Sequence, residues 1–263
     1  MQTPDPDWLL PDWPAPPSVR AICTTRSGGI STGMYASMNL GQHVGDDPKR
    51  VHANRSHLQK AWGVRAVFMH QVHGSTVQEL NPQSLHGAPA DAACTTAQEL
   101  ACTVMVADCL PVLLCDAAGC RVAAAHAGWR GLLGVNGYGV LENTVAHMRQ
   151  TAVVAQTGQQ GHALLAWLGP CIGPRAFEVG EDVRQAFVAQ SAAAQACFVA
   201  AKPGKWLADL PGLARQRLGA LGITKIFGND GSDAWCTFSN PSRFFSHRRD
   251  AVSGRMAACI WRA

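Results

Sequence analysis

Apolar residues in this chain fall into short runs separated by glycine, proline and small polar residues. Continuous or alternating apolar runs predict strands over 19–25, 66–72, 101–106, 112–115, 121–125, 163–168, 223–227 and 257–261. Gly28-Gly29 closes the first run, Gly74 the second, and Ala117-Ala118-Gly119 forms a turn between two others. Helical spacing predicts helices over 47–62, 132–148, 178–190 and 209–221. Val179, Val183 and Phe187 line one face of the third, and Gly222 ends the last. Glycines 134, 137 and 139 weaken the front half of the second helix. Prolines at 4, 6, 11, 14, 16 and 17 make residues 1–18 an extended lead-in. With no break in composition after that, residues 19–263 read as a single α/β domain of mixed α+β character.

The bulk numbers narrow the function. Of 263 residues, 47% are hydrophobic and 15% charged, which excludes a mainly disordered chain. The net charge is +4 with no Lys/Arg run, so no nucleic-acid partner is expected. The densest basic spot, Arg243 to Arg249, has room for one small anion. No apolar stretch reaches 18 residues. The longest charge-free run, Gln150 to Pro174, is broken by Gln, Thr, Gly and His, so no membrane span is expected. The acidic, proline-broken start is not a secretory signal, which predicts a cytoplasmic protein with reduced thiols.

The chain has ten Cys and ten His, the ligand types of soft and borderline metals. No C-x-x-C pair occurs, which excludes zinc-ribbon, thioredoxin-type and ferredoxin-type readings. Most of these cysteines, such as Cys102, Cys115, Cys120 and Cys259, sit in apolar runs and read as small core residues.

Three segments place reactive groups at the ends of apolar runs: QVHG at 71–74, ADCLP at 107–111 and HAGWRG at 126–131. A single His or Cys beside a strand is more often structural. Together, however, His73, Cys109 and His126 form a three-ligand set with a fourth position open, as catalytic zinc requires. Their separations of 36 and 17 residues do not by themselves establish a site. The same residues also fit a Cys nucleophile with a His base. A closed, non-catalytic zinc site, with Asp108, His70 or another Cys as fourth ligand, stays open as well.

The motifs in order carry a resemblance: TTRSGGIS at 24–31, NLG at 39–41, GDD at 45–47, Asn54-Arg55, QVHG, Ala90-Asp91-Ala92, ADCLPV at 107–112 and AHAGWRG at 125–131. They continue with Gly169-Pro170, FEVG at 177–180, Cys236-Thr237, FSHRRD at 245–250 and Gly254-Arg255. From residue 19 onward the chain resembles the laccase-domain family of bacterial polyphenol oxidase-like proteins, also described as peptidoglycan editing factors. Its members are described as purine nucleoside phosphorylases with adenosine deaminase side activity. Val106 and His247 stand where many relatives have Thr and an aromatic residue.

The resemblance implies a layered α/β/β/α sandwich with mixed sheets, similar to cysteine-hydrolase-like toxins. It implies zinc on His73, Cys109 and His126, with copper a competing ion. The implied substrates are adenosine, inosine, methylthioadenosine and phosphate, and a monomer is expected. A copper oxidase is not, because no two His are two residues apart, as multicopper clusters need.

Phosphorolysis needs an anion clamp, and guanidinium groups match phosphate oxygens. The candidates are Arg26, Arg130, Arg248 and Arg249, with Ser27 and Ser246 as further donors and Asn39 at the ribose. Deamination would use an open zinc position to activate water. The Glu of zinc deaminases is missing with its H-x-E…C-x-x-C pattern, which leaves Asp91 or Asp108 as the carboxylate. An amidase-type hydrolase acting on peptidoglycan precursors is the alternative activity, and a non-catalytic zinc-binding protein the alternative to an enzyme.

Overall fold

A computed structural model describes residues 4–150 and 163–263. Much of the charge-free run between Gln150 and Pro174 lies outside these residues. The strands are β1 (Val19–Cys23), β2 (Arg65–Phe68), β3 (Val77–Glu79), β4 (Ala92–Thr95), β5 (Leu100–Val106), β6 (Leu110–Asp116) and β7 (Val122–Ala127). They continue with β8 (Leu164–Leu168), β9 (Glu178–Gly180), β10 (Phe198–Ala200), β11 (Lys205–Ala208), β12 (Lys225–Gly228) and β13 (Met256–Arg262). The helices are α1 (Pro48–Trp62), α2 (Trp129–Leu133), α3 (Val140–Arg149), α4 (Glu181–Gln190), α5 (Leu210–Ala220) and α6 (His247–Asp250).

Two mixed sheets stack face to face. One has the order β1-β13-β5-β2, and the other β12-β8-β6-β7-β4-β3. Strands β5, β6 and β7 are buried along their whole length, so their sequences are continuous apolar runs rather than alternating ones. Between the sheets, Cys102, Val104, Leu113, Cys115, Leu165, Trp167, Ala258 and Ile260 form one core. Outside the first sheet, Leu58 and Ala61 of α1 pack on Ala66, Phe68 and Met105. Outside the second, Leu141 and Val145 of α3 and Leu213 and Leu218 of α5 cover Val112, Leu114, Ala123 and Ala125. The result is the expected α/β/β/α sandwich. The small sheet β10-β11-β9 lies beside it.

Asp47 accepts from the Lys49 amide at the start of α1, and Pro48 stands at its first position, so cap and proline fix where the helix begins. Part of the proline-rich lead-in is tied down: Leu9 and Cys23 exchange both backbone hydrogen bonds, and Trp8 is buried beside α1.

Several expectations change, among them the predicted strand 66–72, which ends as β2 at Phe68. The predicted helix 132–148 is two helices. Gly134, at φ +66, lies so close to the Gly139 backbone that a Cβ there would fall 2.4 Å from it, and the chain turns before α3 starts. The predicted helix 178–190 begins three residues later, because Glu178–Gly180 pairs with β11. Cys120 is not core. It sits half-buried in the turn after β6, whereas Cys102, Cys115 and Cys259 are buried. No helix among the described residues is long and apolar enough to cross a membrane.

Candidate active site

The site forms where the chain crosses between the sheets. Strand β5 belongs to the first sheet and β6 to the second, and Ala107-Asp108-Cys109 is the crossing. Asp108 makes the turn at φ +90, a left-handed conformation costly for a residue with a Cβ. His126 lies on β7 directly opposite Pro111 of β6, which brings it beside Cys109. His73 follows β2 in a loop and also takes positive φ, +59. Gln71 fastens that loop to the end of β5, accepting from the Met105 amide (2.7 Å) and donating to its carbonyl (2.8 Å).

Asp91 organises the rest. It is fully buried, and its carboxylate accepts the amides of Val72 (3.2 Å), His73 (2.9 Å) and Gly74 (2.7 Å). It also meets His126 Nδ1 at 2.9 Å. A carboxylate already holding three N–H groups acts as acceptor, so Nδ1 carries the proton and Nε2 is left for Cys109 or a metal. Donor atoms of His73, Cys109 and His126 lie within 4.8 Å of one another. Burial opposes ionisation of the Cys109 thiol, but the charge and hydrogen bonds of His126, joined by those of His73, bring its pKa down to about 6. Burial likewise opposes a charged His126, yet the facing thiolate and the Asp91 hydrogen bond push that imidazole up to about 9. For Asp91, burial is outweighed by His126 and the amides of Gly74 and Val72, so its carboxyl lies below the usual range.

Close backbone approach explains the glycines. A Cβ on Gly128 would stand 2.9 Å from Cys109 Sγ and 3.2 Å from His73 Cδ2. A Cβ on Gly131 would stand 2.7 Å from the Gly74 carbonyl oxygen. Any side chain at either point would push the two loops apart.

The donors open on a cavity of about 410 Å³. Its apolar walls include Trp129, Ile172, Phe177 and Leu210, and its cations are Arg130, Arg248 and Arg255. Arg248 lies 5.5 Å above the Phe177 ring and donates to the Glu178 carbonyl (2.9 Å). Arg130 lies 4.4 Å above Trp129. Asp108 lines the cavity while accepting the Thr237 hydroxyl and the Arg248 amide, both at 2.6 Å.

Several expected contacts are placed elsewhere. Arg26, Ser27, Asn39, Ser246 and Arg249 do not line the cavity. Arg26 donates to the carbonyls of Ala36 and Pro241. Arg249 is consumed by Asp250 and by the carbonyls of Thr237, Phe238 and Phe244. The Ser246 hydroxyl accepts the Arg249 amide at the start of α6. Asn39 is fully buried, its carbonyl oxygen taking the amides of Gly41 and Arg255. Sequence reasoning misses His43, Trp129, Phe177 and Arg255 as cavity residues. Trp129, Phe177 and Arg255 lie in the HAGWRG, FEVG and Gly254-Arg255 motifs, a signal that could have found them, whereas His43 lies in none.

The match to known proteins covers nearly the whole chain. Residues 20–263 fit the family model described as multi-copper polyphenol oxidoreductase laccase. Purine nucleoside phosphorylase PA4543 of Pseudomonas aeruginosa is 51% identical over 255 residues, covering 97% of this chain and 98% of that protein. Purine nucleoside phosphorylase YfiH of Escherichia coli is 46% identical over 255 residues, covering 96% and 98%. The crystal structure of Neisseria meningitidis protein NMB0706 superposes with a TM-score of 0.87 at 45% identity, covering 97% of this chain and 99% of that one. The chain therefore belongs to the multi-copper polyphenol oxidoreductase laccase family.

Proposed function

We propose that this chain is a zinc-dependent purine nucleoside phosphorylase, converting adenosine, inosine or methylthioadenosine and phosphate to free base and pentose 1-phosphate. The observation that carries the reading is one imidazole–thiol–imidazole set opening on a cavity that also presents arginines and aromatic walls. It is supported by the names of relatives at 46–51% identity. The donor set suits a zinc ion: a thiol ionised at neutral pH, one imidazole oriented by a buried carboxylate, and a second at the rim. When bound, zinc supplies a Lewis acid to stabilise developing negative charge.

The chain's own residues supply the rest. Trp129 and Phe177 offer apolar faces for a purine, and the cavity arginines hold phosphate against its own repulsion. Asp108 fixes the Arg248 amide, and through it the start of α6, at the cavity edge. Phosphate oxygen attacks C1′ as the bond to the purine nitrogen breaks, and the departing base takes a proton. Adenosine deamination is the side activity of the same cavity. Of the two carboxylates considered for it, Asp108 lines the cavity and Asp91 does not.

The coupled pair of Cys109 and His126, with Asp91 behind, also supports a second reading. A Cys–His–Asp relay is the layout of a nucleophilic hydrolase, including an amidase acting on peptidoglycan precursors. One experiment separates the two. The protein is incubated with inosine, with and without phosphate, and free base and ribose 1-phosphate are measured. Phosphate-dependent product, lost on chelation and restored by zinc, is expected. Product formation that survives chelation but is lost on alkylation favours the Cys nucleophile. Unchanged turnover in both Cys109→Ala and His126→Ala overturns either.

A further inference from the structure

Arg255 was not among the arginines that the sequence offered for phosphate. It is half-buried at the cavity, and its guanidinium donates only to neutral oxygens, those of Ser253 (3.0 and 3.3 Å) and Gly254 (3.1 Å). Among the described residues no carboxylate lies within ion-pairing distance of it. Arg55, which like Arg255 bonds to the Leu40 backbone, is alike: it is buried, stacked on Phe68 and bonded to the Leu40 carbonyl and the Met105 sulfur, with no carboxylate partner among the described residues. Cys109 and Asp108 act on the Arg255 charge only from beyond ion-pairing distance, and a half-buried cation with no direct counter-charge is costly unless an anion joins it. His43 also lines the cavity. Burial, with Arg255, His70, Arg55 and His73 around it, holds its pKa below the ordinary range, so it feels the field of both arginines.

The scaffold is built around Arg255. The Asn39 side-chain carbonyl accepts the Arg255 amide at 2.9 Å, bridging 216 positions of sequence, and the Leu40 amide donates to the Arg255 carbonyl at 3.0 Å. Asn39 is held in turn by Asp46 and Gly41. A Cβ on Gly41 would come within 2.8 Å of Arg255 Cγ, so glycine there leaves space for the arginine stem. Thus the NLG motif and the Gly254-Arg255 motif are two halves of one cradle. Arg130 and Arg248, by contrast, are exposed and stacked on aromatic rings, where water screens their charge.

We infer that Arg255, with His43 beside it, forms the oxyanion subsite of this cavity, that its ligand is inorganic phosphate, and that Asn39 is a positioning residue for it. The inference rests on the phosphorylase reading for its biological ligand, but phosphate binding tests it without turnover. The zinc-loaded full-length protein is titrated with inorganic phosphate by calorimetry, and phosphate and inosine KM are measured in parallel. Arg255→Gln should raise the phosphate Kd and KM at least tenfold and change the inosine KM less than threefold. Arg255→Lys should recover part of the loss. Arg130→Gln and Arg248→Gln should each raise the phosphate Kd by a smaller factor than Arg255→Gln does. If Arg255→Gln fails to fold, as judged by its melting curve, His43→Gln at the cavity rim takes its place and should weaken phosphate about threefold or more. Wild-type phosphate affinity in the folded test variant, or no phosphate binding by the wild type, overturns the subsite. Arg255-dependent phosphate binding without nucleoside cleavage would retain the subsite and discard the phosphorylase reading.

Discussion

Among the described residues, two clusters bring a Cys, a His and one further donor within 4.8 Å: His73–Cys109–His126 and Glu79–Cys94–His147. Their ligand types are nearly the same, and their surroundings are opposite. At the first, two imidazoles face the thiol and bring it down to about 6. At the second, burial and the neighbouring Glu79 carboxylate push the Cys94 thiol up to about 12. Arg121 already fills the space a cation would take, paired with Glu79 and in contact with Cys94. Behind Cys109 stands a carboxylate that orients a ligand; beside Cys94 stands a guanidinium that replaces one. Donor identity therefore does not make a metal centre. The charge already present and the cavity in front do.

That contrast can be broken at several points, the largest effect being thiol reactivity. In metal-stripped protein at pH 7 the two thiols should differ by about five orders of magnitude in thiolate fraction, given values of about 6 and about 12. Only the thiolate is nucleophilic, so alkylation of Cys109 should rise as pH climbs through about 6 and level off above it. Cys94 should stay unlabelled until the protein unfolds. Peptide mass spectrometry after an iodoacetamide pulse reads both, and equal labelling would end the comparison.

Next comes Cys109→Ala, which should lower kcat/KM for phosphorolysis at least about 1000-fold and remove the bound metal measured by elemental analysis. Gly128→Ala tests crowding rather than ligation. The new methyl would press on Cys109 and His73, and a displacement near 1 Å should cost about 100-fold in kcat/KM. Asp91→Asn keeps the shape but loses the charge behind His126. Metal affinity should fall about 10- to 100-fold, read by competition with a chromophoric chelator. The smallest effect belongs to Cys94→Ala. It should leave metal content and turnover unchanged and lower stability by about 1 kcal/mol in a denaturant melt. Lost metal in that variant would show the second cluster to be a site.

The sandwich was largely legible because its central strands are fully buried and therefore written as unbroken apolar runs. The short strands β3, β4, β9, β10 and β11 were not, since each has only three or four residues, too few to carry a pattern of its own. The three donors could be singled out because each ends an apolar run beside a glycine or proline. Phosphate contacts were harder. Arginine says nothing in sequence about whether it will be spent on carbonyls, as Arg249 is, or left facing a cavity, as Arg255 is. Asn39 drew notice as a polar residue in a motif, yet its partner lies 216 positions away.

The order β1-β13-β5-β2 has a consequence for how the protein is made. Strand β13 lies between β1 and β5, although it is the last of the strands in the chain. During synthesis β1, β5 and β2 leave the ribosome long before the strand that joins them, so two strand edges wait unpaired. Arg255 directly precedes β13. The cavity is thus completed in the same late step that closes the sheet, and a chain stopped short of residue 255 would have neither.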